Sequence, residues 1–229
     1  MDGSVTGWEG MSMDWTAQID AYCERMGFGF WAEPINALTN IAFLVSGFVI
    51  WRKAQGRGLP LAEAMAIVLF AIGIGSFLFH TFATRWAGAM DTAPILIFVL
   101  LFTFAATWDL FRQSLPMAAI ITLLFFPFMA VAYPIGNIAP WLGSSAGYIP
   151  VLLWIGLFAI MASGQLAWDF WTGFALLALS ITFRSLDERV CGQLPIGTHF
   201  LWHLLNAFLL GWFASFYIRH MLAAKARQG

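Results

Sequence analysis

The chain has 229 residues, of which 61% are hydrophobic and only 10% are charged, with 23 Phe and 12 Trp. About a quarter of an ordinary soluble domain is charged, so this composition excludes a soluble domain, a disordered chain, a collagen-like chain and a small disulfide scaffold. Lys and Arg number 11 against 12 Asp and Glu, with no basic stripe, which excludes nucleic acid as a partner. A polytopic membrane protein remains.

Residues 1–32 are polar and acidic and form a short extramembrane segment. They lack a basic stretch followed by a short apolar run, so no cleavable signal peptide is expected. Seven segments then approach the roughly 20 apolar residues that a helix needs to cross the hydrocarbon core. They lie near 34–52, 61–80, 90–108, 115–133, 147–163, 166–183 and 198–219. The separators are short; the most polar is Arg184 to Gly197. Lipid cannot satisfy open backbone groups, and barrel-type alternation is absent, so the spans are helices. The expected fold is an all-α integral membrane protein, a seven transmembrane helix bundle forming one domain over 1–229, with Pro94 and Pro127 bending their spans. No internal repeat is visible.

Orientation follows from Lys and Arg in short loops. Arg52, Lys53, Arg57, Arg112, Arg219, Lys225 and Arg227 fall on one side, and Arg25, Arg85, Arg184 and Arg189 on the other. Seven against four puts the C-terminus in the cytoplasm and the N-terminus outside.

Ionisable groups inside spans are costly and mark function. Glu33 opens span one, His80 ends span two, Asp91 opens span three, and His199 and His203 open span seven. Given the alternating direction of the spans, all five lie at one depth near the outer face. His199 and His203 are four apart and share a helix face; Ser76 shares a face with His80 in the same way. Three imidazoles from two helices can bind Zn²⁺ and leave a fourth position for water. A bound zinc lowers the pKa of its water toward 7. Asp91 is placed to accept the proton of that water, and Ser76 to donate to the substrate carbonyl. The plainer alternative is interhelical hydrogen bonding among Ser76, His80 and Asp91 without metal. Three of only four histidines at one depth favour the metal. The fourth, His220, sits beside Arg219 at the cytoplasmic end as an interface anchor.

These residues resemble the alkaline ceramidases, seven-span zinc amidases of the wider group that includes adiponectin-receptor-like proteins. Four stretches carry the likeness, in order along the chain. They are Tyr22-Cys23-Glu24 with Trp31-Ala32-Glu33-Pro34-Ile35-Asn36-Ala37-Leu38-Thr39-Asn40; Gly75-Ser76-Phe77-Leu78-Phe79-His80 with Asp91; Leu186-Asp187-Glu188-Arg189-Val190-Cys191; and Thr198-His199-Phe200-Leu201-Trp202-His203. The resemblance implies zinc on His80, His199 and His203, with Ser76 and Asp91 catalytic. It implies hydrolysis of the ceramide amide to sphingoid base and fatty acid, within sphingolipid metabolism. Short loops and a brief C-terminal tail look like a bacterial member, in an inner membrane with the site near the periplasmic face.

The family's eukaryotic members also carry a calcium site in the N-terminal segment. Here Glu24 and Glu33 match it, Asp20 stands for a displaced Asp, and Met26 replaces an Asn. Calcium takes about six to eight oxygens. The alternative is that Glu24 pairs with Arg25 or Arg189 while Glu33 caps span one. The only cysteines, Cys23 and Cys191, both fall on the outer side, and the family has a comparable pair. A disulfide is expected, with two free thiols as the alternative.

Asn36 and Asn40 are expected to bond between helices. Asn206 or Asp187 is expected to orient a metal ligand, or Asp187 to pair with Arg184. Asp109 and Asp169 lie near the cytoplasmic face with no assigned role. The leading expectation is a zinc amidase of an N-acyl lipid drawn from the membrane, with no obligate protein partner. A seven-helix receptor or scaffold with structural zinc, and an ester or phospholipid acyl hydrolase using the same site, are the alternatives. A transporter ranks last, because polarity gathers at one face rather than through the membrane depth.

Overall fold

The computed structural model describes residues 14–227; residues 1–13 of the expected N-terminal segment lie outside the described residues. Every regular element among the described residues is helical, apart from one isolated bridge between Gln18 and Thr84. The α-helices are α1 (Pro34–Thr39), α2 (Ile41–Ala54), α3 (Pro60–Phe82), α4 (Arg85–Ala105), α5 (Leu115–Asn137), α6 (Ile149–Met161), α7 (Gly164–Val190) and α8 (His199–Ala226). They make seven helices long and apolar enough to cross a membrane.

Prolines open α1 and α3, where the missing N–H is not needed. Ser114 caps α5 by accepting from Met117 N. Helices α1 and α2 meet at Asn40, whose backbone stays helical, so they form one crossing, Pro34–Ala54. α4 ends in a wider π turn, Ala106–Leu110, and α6 is entered through 3₁₀ turns over Pro140–Tyr148. Pro94 and Pro127 lie inside α4 and α5 without ending them.

The seven crossings fall where the apolar runs place them, but several are longer. The sixth was expected near 166–183, and α7 continues to Val190. The expectation followed hydropathy, and the last turns of α7 are polar yet helical. Arg184, Asp187, Glu188 and Arg189 therefore stand on a helix and not in a loop.

Successive crossings are neighbours, and the last closes the ring by packing α8 against α2 as well as α7 and α3. α8 is the most buried of the seven. Its Phe213 and Phe216 join Phe102 of α4 and Phe170 of α7, with ring centroids 4.7–6.3 Å apart. Such offset and edge-on arrangements suit aromatic packing.

At the other end of the bundle, α3 and α4 touch backbone to backbone. A Cβ on Gly75 would lie 2.0 Å from the Met90 carbonyl oxygen and 3.3 Å from Asp91 N. Only hydrogen at this position lets α4 approach, and the approach sets Asp91 beside the turn that carries Ser76. Gly75→Val should therefore destabilise the protein by about 1–3 kcal/mol through overpacking. Gly192→Ala, where a Cβ meets nothing within 4 Å, should leave stability within about 0.5 kcal/mol. Thermal unfolding of both variants in mild detergent checks the difference.

Candidate metal centre

His80 comes from the last turns of α3, and His199 and His203 from the first turns of α8. One ligand atom from each lies within 4.8 Å of the others. All three side chains are buried, at 0–2% exposure. The structure thus brings together the three imidazoles that the sequence placed at one depth.

Their outward nitrogens are held by side chains from span one. His80 Nδ1 lies 2.6 Å from Glu33 Oε2. A carboxylate has no proton to give, so His80 donates through Nδ1 and its Nε2 keeps a free lone pair. Thr39 Oγ1 lies 2.9 Å from His203 Nδ1. The single hydroxyl proton of Thr39 is directed to the carbonyls of Ile35 and Asn36, at 2.8 and 3.0 Å. The oxygen therefore accepts from His203 Nδ1–H, and His203 Nε2 is left free as well. Tyr22 stacks on the His199 ring at 3.6 Å between centroids.

His80 Nε2 and His199 Nδ1 are buried with no hydrogen-bond partner. A buried polar atom left bare is costly, and few occur without a reason. Three converging nitrogens with no thiolate fit Zn²⁺, with a coordination position left for water or substrate. Glu33 and Thr39 fix the orientation and tautomer of the His80 and His203 rings. Sequence reasoning gave that part to Asn206 or Asp187. Asn206 has a buried, unpartnered Nδ2, and Asp187 acts elsewhere.

Ser76, Asp91 and His203 line one wall of a cavity between the helices. Its other walls are largely apolar, Phe98, Trp154, Phe158 and Leu177 among them. An acyl chain suits such walls better than any polar ligand. Both residues expected to do chemistry thus share the cavity with a histidine of the cluster.

The segment before span one grips this end of the bundle through consecutive residues. Cys23 forms a disulfide with Cys191, 168 positions on, with their Cα atoms 5.2 Å apart. Glu24 accepts from the N–H groups of Ile35 and Asn36, at 2.6 and 2.7 Å, and so caps α1. Arg25 is buried; it bonds Glu33 through Nε and the carbonyl oxygens of Gly27 and His80, at 2.8 and 3.0 Å.

This arrangement does not fit calcium. Both Glu24 oxygens are taken by backbone N–H groups, both Glu33 oxygens by Arg25, His80 and Asn36, and Asp20 is exposed. These acids offer few free oxygens toward the about six to eight that calcium takes. A guanidinium already provides the positive charge. The expected division of labour is also reversed: Glu24 caps span one, and Glu33 pairs with Arg25 and His80.

Asp187 neither pairs with Arg184 nor orients an imidazole. Its Oδ1 accepts from Thr198 N and His199 N, at 2.6 and 2.8 Å, and its Oδ2 from Cys23 N at 3.0 Å. It caps the helix that carries two of the histidines. Gly197 just before is required there, since its φ is +62° and a Cβ would lie 2.0 Å from Asp187 Oδ1. Asn36 and Asn40 bond within their own segment, to Glu33 at 3.1 Å and to the Asn36 carbonyl at 2.9 Å, rather than between helices. His220 is no lone interface anchor, because it bonds the buried Asp169 at 2.8 Å.

No known family model, curated protein or solved structure matches the chain.

Glu33→Gln should weaken metal affinity about 10–100-fold, because the carboxylate no longer orients His80; competition with a chromophoric chelator reads this directly. Arg25→Met should cost about 3–5 kcal/mol by leaving Glu33 buried with less compensation. Titrating calcium into the wild-type protein should leave its unfolding temperature unchanged, and a calcium-dependent rise would contradict the assignment of Arg25.

Proposed function

We propose that the chain is an intramembrane zinc-dependent amide hydrolase that cleaves ceramide or a related N-acyl lipid to a fatty acid and an amine lipid. The observation that carries this reading is the buried His80–His199–His203 cluster opening beside Ser76 and Asp91 on the wall of an apolar cavity. The likeness of the S-x₃-H, D and H-x₃-H pattern to the alkaline ceramidases supports it. A receptor or scaffold with structural zinc would have no use for a serine and a carboxylate at that wall.

Zinc in this site would supply Lewis acidity and a water acidified toward neutral pH. His80, His199 and His203 would hold it, with Glu33 and Thr39 keeping Nδ1 of His80 and His203 protonated and turned away. The cavity takes the acyl chain and excludes bulk water, leaving the amide carbonyl at the polar wall. Ser76 donates to the carbonyl oxygen as it gains negative charge. Asp91 takes a proton from the attacking water and returns it to the nitrogen as the C–N bond breaks. The acyl carbon gains the water oxygen, and the amine gains the proton. The Lys and Arg bias of the loops supports an orientation with this end of the bundle away from the cytoplasm.

The test couples metal content to turnover. Wild type, His203→Ala, Ser76→Ala and Asp91→Asn are purified in mild detergent, without chelator, and assayed on fluorescent ceramides, other N-acyl lipids and matched esters. Wild type should hold about one zinc per chain. His203→Ala should lose metal and turnover together. Ser76→Ala and Asp91→Asn should keep the metal and lose at least about 100-fold in rate. Zinc without turnover on any acyl lipid would favour the scaffold, and absence of zinc from wild type would end the reading.

A further inference from the structure

Arg184 lies on the last polar turns of α7, at the outer pocket that adjoins the metal centre. It makes no salt bridge among the described residues. Its Nη1 donates to Ser144 Oγ and Ser145 Oγ, at 2.8 and 2.9 Å, and its Nη2 to Tyr22 OH at 3.3 Å. Its guanidinium carbon is 5.9, 5.4 and 5.6 Å from the ring centres of Tyr22, Tyr148 and Trp202. The rings and hydroxyls hold the cation in place but bring no negative charge to it.

Each of the three hydroxyls accepts from Arg184 and so keeps its own proton to donate. None of those protons has an acceptor among the described residues. Among the nearby charges, Asp91 attracts Arg184 without forming a salt bridge to it. Asp187 is committed to three backbone N–H groups, and Glu188 and Arg189 are exposed neighbours of opposite sign at the rim. What faces the pocket is one partly buried cation ringed by free donors. That is the chemistry of an anion site.

The location says what kind of anion. Tyr148 and Trp202, which flank Arg184, also line the apolar cavity that holds Ser76, Asp91 and His203. The polar cradle and the acyl cavity share these two rings as a wall. We propose that Arg184, Ser144, Ser145 and Tyr22 form the headgroup site for an anionic amphiphile, so that the substrate is an N-acyl lipid whose head carries a phosphate or carboxylate. For what becomes of the bound lipid this rests on the hydrolase reading; for binding it does not.

Binding is therefore measured without turnover. Dodecyl phosphate, dodecanol and inorganic phosphate are titrated into the protein in an uncharged detergent, and the unfolding temperature and a calorimetric isotherm are recorded. Dodecyl phosphate should bind saturably and raise the unfolding temperature, dodecanol should bind at least about tenfold more weakly, and Arg184→Gln should lose about tenfold or more for dodecyl phosphate. Ser144→Ala, at an exposed position tolerant of change, should lose a few-fold if Arg184→Gln folds poorly. Wild type should bind dodecyl phosphate even if every amidase assay fails, which separates this site from the catalytic reading. Equal binding of dodecanol, or unchanged affinity in both Arg184→Gln and Ser144→Ala, would overturn the anion site. Inorganic phosphate matching dodecyl phosphate would overturn its assignment to a lipid head.

Discussion

A carboxylate buried at the end of an apolar bundle has to be neutralised and fully hydrogen-bonded, and Glu33 meets that demand with three donors. Arg25 Nε takes one oxygen, and His80 Nδ1 and Asn36 Nδ2 share the other, at 2.6 and 3.1 Å. Removing a charge from water costs several kcal/mol, so each donor is held strongly where it stands. Two consequences follow. His80 is locked as the tautomer whose Nε2 faces the other imidazoles. Arg25 is drawn under the surface, and with it the segment that precedes the first crossing. Tyr22, Cys23 and Glu24 are then brought onto His199, Cys191 and α1 in turn.

Two further acids complete this end by capping helices rather than by binding ions. Glu24 neutralises the start of α1, which carries Thr39, and Asp187 neutralises the start of α8, which carries His199 and His203. A carboxylate on free N–H groups at a helix start is favourable for both the hydrogen bonds and the dipole. The first and last crossings are therefore anchored by the same device, and both anchors meet at residues 23 and 24. The disulfide fixes that meeting point covalently. Imidazole positions on two separate helices thus depend on one short stretch of extramembrane chain.

The crossings were legible because hydropathy over 20 residues is a collective signal that no single substitution erases. The histidines were legible because buried imidazoles are rare in apolar spans and because helical periodicity fixes which face a residue takes. The supporting residues were not. Thr39 reaches His203 across 164 positions and Glu33 reaches His80 across 47. No local pattern reveals which of several nearby polar residues will make such a contact. The acids were misread for a related reason: Glu24, Glu33 and Asp187 are equivalent as residue types, and their roles as cap or counter-ion are set by which backbone N–H groups end nearby. The end of α7 was misplaced because a polar helix that leaves the apolar layer looks like a loop to hydropathy.

The opposite end of the bundle supplies an internal comparison for the metal reading. Asp169 is fully buried there, and it binds Arg219 at 2.6 Å, His220 at 2.8 Å and Gln165 at 3.3 Å. Asp109 is bonded by Tyr217 in the same region. No side-chain atom of these groups is left bare. The bundle saturates these acids with its own side chains, although the hydroxyls of Thr84 and Thr107 and the amides of Asn36, Asn40 and Asn206 also keep a bare buried atom. At the histidine cluster it does not: His80 Nε2 and His199 Nδ1 have no partner, while Glu33 and Thr39 hold rings rather than fill the gap. Single bare atoms scattered through the bundle are one pattern, and two bare nitrogens in one three-histidine cluster are a second. The second pattern is what a set of ligand nitrogens requires, since each must keep a lone pair that no protein donor occupies.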